Sequence, residues 1–193
     1  MLPSRTEAVR MLQEAERMNP GPWAAHSRVA GACARRIAAR SGLDGEKAET
    51  LGLLHDIGRR FGISQLKHVY DGWRYMLQLG YDEVARVCLS HSFPVQDIRV
   101  DMAAVDITPE AYGVLGRALA AMGYDDYDRL IQLCDSIAMA EGPVDMEMRM
   151  ADVKRRYGAY PQEKWERNLA LKAYFEERME TSLQEALSDL KKT

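Results

Sequence analysis

Apolar residues along this chain recur at three- and four-residue spacing, and nowhere in sustained alternation. β-Branched residues do not cluster, so strands are not expected. Ser4 with Glu7 makes a capping-box pattern for a helix running to about Met18, which Asn19-Pro20-Gly21-Pro22 then stops. A second helix is expected over Trp23–Arg40, with Gly42 as its C-terminal stop, and Asp44 caps a third from Gly45 to about Ile57. Beyond Gly58 the segments shorten. Ser64 to about Val69 reads as a brief helical turn, Asp71 caps a segment reaching Leu79, and Gly80 separates it from Asp82–Ser92, which Pro94 follows.

Val95 to Ile107 reads as a loop with a short helical turn. Thr108-Pro109-Glu110 then starts a helix with a cap, a proline in its first turn and an early acid. Gly123 ends that helix, Asp125 or Asp126 opens the next through Ala140, and Gly142-Pro143 breaks again. The remainder predicts helices over Asp145–Tyr157 and from Pro161 to about Leu190, with a bend near Thr181. No repeat, low-complexity stretch or linker interrupts the pattern. The expectation is an all-α fold, one globular helical domain over residues 1–193, with helices 145–191 packed on the rest.

Composition changes this picture little. The 193 residues are 47% hydrophobic and 28% charged with a net charge of −3, which suits one domain with a sizeable core. No apolar run reaches the length of a membrane span, and no basic-then-apolar leader opens the chain. Cys33, Cys88 and Cys134 are odd in number and sit in apolar helical patterns, so they read as core thiols of a reducing compartment. A slightly acidic chain without a basic tail argues against nucleic acid as the main partner. A cytoplasmic protein is expected.

The chemistry concentrates in Leu51-Gly52-Leu53-Leu54-His55-Asp56-Ile57-Gly58-Arg59-Arg60. An imidazole and a carboxylate side by side at the end of an apolar helix are costly to bury unless something offsets their desolvation. A divalent cation does so and uses both as ligands. Singly, His26 reads as a hydrogen-bonded core histidine and Asp135 as a polar-face residue of an apolar helix. Together, His26, His55, Asp56 and Asp135 would bring imidazoles and carboxylates from three helices, a donor set suited to Fe, Mn, Co, Ni or Zn.

His…His-Asp…Asp, with the pair inside Leu-Leu-His-Asp-Ile-Gly-Arg, resembles the HD-domain superfamily of metal-dependent phosphohydrolases from about Trp23 to Ala140. The resemblance implies that residues 23–140 form the motif region of an HD-type domain. It implies that His26, His55, Asp56 and Asp135 hold one metal ion. Binuclear relatives carry two further histidines between the pair and the last aspartate, and His68 and His91 stand in that order, with Asp56 then bridging. The alternative leaves His68 at the surface beside Lys67 and His91 as a helix end favoured by the dipole. One or two divalent ions per chain are expected, Fe or Mn foremost. Arg59 stands where many relatives carry Lys or Arg, and its guanidinium suits a phosphate clamp; Arg60 reads as a solvated partner, and either could simply complement a helix end. Asp56 and Arg59 are the expected catalytic residues.

Other features read as structural. Trp73, Tyr75 and Met76 suit the core, Tyr124-Asp125-Asp126-Tyr127-Asp128 a solvated start of a helix, and Thr108–Met122 a pocket wall or packing. The stripe Trp165, Leu169, Leu171, Tyr174 and Phe175 suits packing across the domain or a homodimer contact. The functional expectation is hydrolysis of a small phosphoester such as a nucleotide by metal-activated water. A mixed-valent di-iron oxygenase of the same superfamily and a non-catalytic binding module are the alternatives.

Overall fold

The first helix, α1 (Arg5–Met18), begins where Ser4 Oγ accepts the Glu7 amide at 3.2 Å. The return half of the expected capping box is not made: the Glu7 carboxylate takes Arg10 instead, at 2.7 Å. Ala8, Met11, Leu12 and Ala15 form its buried stripe. The computed structural model describes residues 1–100 and 103–190. Over these residues it contains ten α-helices, short 3₁₀ turns and one two-residue ladder, so the all-α expectation holds.

α2 (Pro22–Arg40) and α3 (Gly45–Leu54) pack most intimately, through small residues. A Cβ on Gly52 would lie 2.7 Å from the Cα of Gly31, so only paired glycines allow this approach. α3 stops at Leu54 rather than Ile57. His55 caps it, Asp56 leaves helical geometry at φ −100°, ψ 13°, and Ile57–Phe61 forms a 3₁₀ turn. Gly58 is the reason the chain tightens there, since a Cβ on it would collide with the His68 carbonyl and come within 2.5 Å of the Gly72 amide.

α4 (Lys67–Gln78) is one helix where two pieces were expected. Asp71 is inside it and pairs with Lys67 at 2.6 Å instead of capping. The helix start is held from far along the chain: Asp106 accepts the amides of Gln65 and Lys67, each at 2.7 Å. α5 (Asp82–Ser90) ends at His91, and a 3₁₀ turn over Ile98–Val100 lies in the expected loop. α6 (Pro109–Ala121), capped by Thr108, buries Leu115 and Leu119 against Leu66, Val69, Leu89 and Phe93, which makes it packing.

α7 (Asp126–Ile137) is capped by Asp125 and packs against α2, α3 and α5. It stops short of Ala140 because β1 (Ala138–Met139) pairs antiparallel with β2 (Gly142–Pro143), a ladder the sequence did not suggest. α8 (Met146–Tyr157) and α9 (Gln162–Met179) follow, the first capped by Asp145. The long last helix expected to reach Leu190 breaks at Glu180, which takes φ 55°, before α10 (Leu183–Ala186) and a final 3₁₀ turn. Phe175, Met179, Leu183 and Leu187 join the main core with residues of α1, α2, α3 and α7. Met76 is fully buried, and Trp73 and Tyr75 pack half-buried beside it. The three cysteines are free and buried. Among the described residues, no helix is long and apolar enough to cross a membrane.

Candidate metal centre

α2 and α3 run in opposite directions past the glycine contact, so His26, before Gly31, and His55, after Gly52, meet at the same end. Their Nε2 atoms are 3.2 Å apart. Asp135, on α7, brings Oδ1 to 3.0 Å from His26 Nε2 and 3.7 Å from His55 Nε2. The 3₁₀ turn after Asp56 and the close approach at Gly58 bring in α4, and with it His68, whose Nε2 is 3.1 Å from Asp56 Oδ1. His91, at the end of α5, places Nε2 3.5 Å from the same oxygen and 3.3 Å from His68 Nε2. All six side chains singled out in the sequence therefore converge. All are buried except Asp135, whose side chain is 31% exposed.

The tautomers leave the cluster able to hold a cation. Each Nδ1 faces a backbone carbonyl: Ala138 for His26 at 3.1 Å, Gly52 for His55 at 2.7 Å, Gln65 for His68, and Cys88 for His91 at 3.0 Å. A carbonyl only accepts, so each Nδ1 carries the proton, and a neutral ring then offers Nε2 as a lone pair. Paired Nε2 atoms at 3.2 and 3.3 Å are lone pair against lone pair unless a metal ion or a shared proton lies between them. Carbonyl-held imidazoles of this kind are characteristic of metal ligands. Asp56 Oδ1, buried, accepts no hydrogen bond among the described residues. Four imidazoles and two carboxylates form a mixed N/O donor set that fits a divalent transition metal. Two groupings close enough to share an ion are His26, His55, Asp135 and His55, Asp56, His91.

The surroundings keep both carboxylates ionised. Burial alone would raise the Asp56 carboxyl, but the Arg59 charge and the His68 and His91 contacts hold it well below the usual carboxylate range. Asp135 behaves likewise, burial being overcome by His26 and His55. Burial depresses His68 despite Asp56, whereas for His91 the nearby Asp56 carboxylate outweighs burial and raises it.

Arg59 turns back over the pair. In a 3₁₀ turn residues i and i+3 eclipse, and Arg59 Nε donates to Asp56 Oδ2 at 2.7 Å while Nη2 reaches His68 Nε2 at 3.3 Å. The α1–α2 corner braces this turn, since Asn19 Nδ2 donates to the Arg59 carbonyl at 2.6 Å. Arg60 is not solvated. It is 9% exposed, lies 4.4 Å over the Tyr75 ring and points away from the cluster, because its neighbour has taken the inward position.

Two features escaped the sequence reading. Asp128, expected in solvent, is fully buried; it accepts Arg86 Nε and Ser90 Oγ, each at 2.8 Å, and so ties α7 to the residue preceding His91. Only its place one helical turn after Tyr124-Asp125 hinted at an inward face. Arg149 of α8 lies near Asp135 at the wall of the open cleft, a volume of about 480 Å³ that also touches Trp23, His26, Asp56 and Arg59. Nothing in the motif pointed to it.

The HD-domain family matches residues 23–140, more than half of the chain. The chain belongs to the HD-domain family, a superfamily of metal-dependent phosphohydrolases. No curated protein and no solved structure gives a match.

Proposed function

We propose that this protein is a phosphohydrolase with a two-metal centre acting on a small phosphoester. In this reading His26, His55 and Asp135 hold one ion, His68 and His91 the other, and Asp56 serves both. The observation that carries it is two pairs of facing Nε2 atoms, His26 with His55 beside Asp135 and His68 with His91 beside Asp56 Oδ1. Divalent ions bound there supply an acidified water and Lewis-acid polarisation of a phosphoryl oxygen. The protein's own contribution is positional. The carbonyl-held imidazoles present rigid lone pairs, and Arg59, at the cleft wall, offers a fixed charge and planar donors to phosphate oxygens. The half-exposed Asp135 marks the face open to substrate, while the buried faces of His55 and His91 keep water out behind it. We further take residues 1–193 to act as one unit, with α8 contributing a wall to the cleft.

A panel of phosphomonoesters and phosphodiesters, assayed with Mn²⁺, Fe²⁺ or Co²⁺ in air and under nitrogen, tests the reading. Phosphate release independent of oxygen is expected. Turnover that requires oxygen would replace hydrolysis with oxygenase chemistry, and inactivity with every metal would leave a binding module.

A further inference from the structure

Beside the open cleft lies a second, smaller cavity of about 140 Å³, and Asp135 and Arg149 line both. His91 connects the small cavity to the metal cluster; its far walls come from α8 and α9, outside residues 23–140 that match the family. Two residues of its lining each carry a buried polar atom with no partner among the described residues. The first is Arg149 Nε; the nearest carboxylate to that guanidinium, on Asp152, is 4.0 Å away. The second is Gln132 Oε1. Gln132 is 2% exposed, and its Nε2 donates to the carbonyls of Ser90 and Phe93 at 3.1 and 3.3 Å, which leaves the oxygen unused. An unmet buried donor and an unmet buried acceptor beside one cavity are each costly; the Arg149 side chain as a whole is 22% exposed.

Charge is distributed unevenly between the two spaces. In the small cavity Arg149 and Lys164 outnumber the one carboxylate, Asp135, whereas in the open cleft Asp56, Asp135, Glu141 and Asp152 outnumber Arg59 and Arg149. An anion is therefore favoured in the small cavity. Its size excludes a whole nucleoside: drug-sized pockets begin at about 300 Å³, and this one holds roughly four or five waters at ~30 Å³ each.

We propose that the small cavity is a subsite for a second, compact anionic group, so that the substrate carries one anion at the metal centre and another on Arg149. A compact phosphoryl or carboxylate group there would meet the charge of Arg149, with Lys164 in the same lining. Arg149 is then the residue that selects doubly anionic phosphoesters over simple ones. The inference rests on the two-metal reading for the first anion, but its test does not depend on turnover.

The test is calorimetric titration of the metal-loaded protein with methylphosphonate, phosphonoacetate and methylenediphosphonate, with metal content measured before and after. All three carry the same first anion; only the last two carry a second. Wild type should bind at least one of the latter about tenfold or more tighter than methylphosphonate, the scale of one hydrogen bond to a charged group. Whichever of the two binds tighter names the second anion as carboxylate or phosphoryl. Arg149→Met, which keeps the stem that packs α8, should erase the advantage, and Arg149→Lys should restore part of it. Equal binding of all three by wild type would overturn the proposal. So would an advantage that survives in Arg149→Met, because the second anion would then be chelating metal. Failure of the hydrolase reading would look different: no phosphoester turned over, with the binding difference intact.

Discussion

Gly31 and Gly52 touch backbone to backbone, and the contact sets where His26 and His55 meet. A Cβ on Gly52 would lie 2.7 Å from the Gly31 Cα and 2.8 Å from its amide nitrogen, neither of which can yield as a side chain could. Gly52→Ala should therefore push α2 and α3 apart, at a cost of about 1–3 kcal/mol for overpacking a tight core. His55 moves with α3, so metal retention should fall as well. Thermal unfolding and elemental analysis of the purified variant check both effects. Wild-type stability together with full metal would show that the close approach is not what aligns the two imidazoles.

Gly58 plays the corresponding part for the other half of the cluster. A Cβ there would strike the His68 carbonyl, so Gly58→Ala should displace α4 and carry His68 away from Asp56. His26, His55 and Asp135 lie on other elements. The variant should thus lose one ion and keep the other, where Gly52→Ala weakens the ion that His26 and His55 share. Equal losses in the two variants would mean that the ions are bound as a unit.

Nuclearity itself is tested at the ligands. Wild type should hold about two metal ions per chain, and the His68→Ala, His91→Ala double variant about one. Asp56→Ala should retain none and be inactive, because its carboxylate faces both halves of the cluster, 3.1 Å from His68 and in one grouping with His55. Elemental analysis decides each case. Metal retained at wild-type level in Asp56→Ala would sink the assignment.

What the sequence made legible, and what it did not, divides by range. Helix α1 was readable because Ser4 and Glu7 are neighbours, and the cluster because His26, His55, Asp56 and Asp135 sat in apolar helical runs, with His68 and His91 added by the order the family resemblance implies. The start of α4 was misread because its cap, Asp106, comes from a distant loop that no local rule can see. Asp128 looked solvated because the residues that bury it, Arg86 and Ser90, are on α5. The end of α3 turned on the close approach of Gly58 to α4, and Arg149 on α8 folding back to Asp135. Spacing along one helix carries information about its own face, not about which carboxylate or backbone will arrive against it.

Glu49 joins three helices and should give stability an acid limb away from the cluster. On α3 it accepts Arg5 of α1 at 2.8 Å and Arg35 of α2 at 2.6 Å. Burial alone would raise its carboxyl, but these bonds hold it below the ordinary value. A carboxyl with a depressed folded pKa contributes stability that is complete above its unfolded pKa, about 4.3, and is lost as pH falls through the folded one. Both arginines are about half exposed, so solvent screening trims the effect to roughly 1 kcal/mol. Glu49→Gln should thus be less stable than wild type from neutral pH down to about 5, and the gap should close below about 4. Denaturant unfolding across that range checks the sign; a gap that widens in acid would contradict it.

Arg59 separates a phosphohydrolase from a metal site of another kind. Its guanidinium lies on Asp56 Oδ2 at 2.7 Å and at the cleft wall, where it can exchange one carboxylate contact for a phosphoryl group. Loss of a fixed, preorganised charge at the reacting centre should lower turnover of the best phosphoester by about 10²-fold or more in Arg59→Ala. Metal content should hold, because guanidinium is no ligand. Arg59→Lys should recover part of the rate, since a point charge survives where planar two-point geometry does not. The measurement is steady-state kinetics with metal content determined on the same preparations. A wild-type rate in Arg59→Ala would confine the arginine to orienting Asp56, and phosphate recognition would then pass to the other guanidinium in the cleft, Arg149.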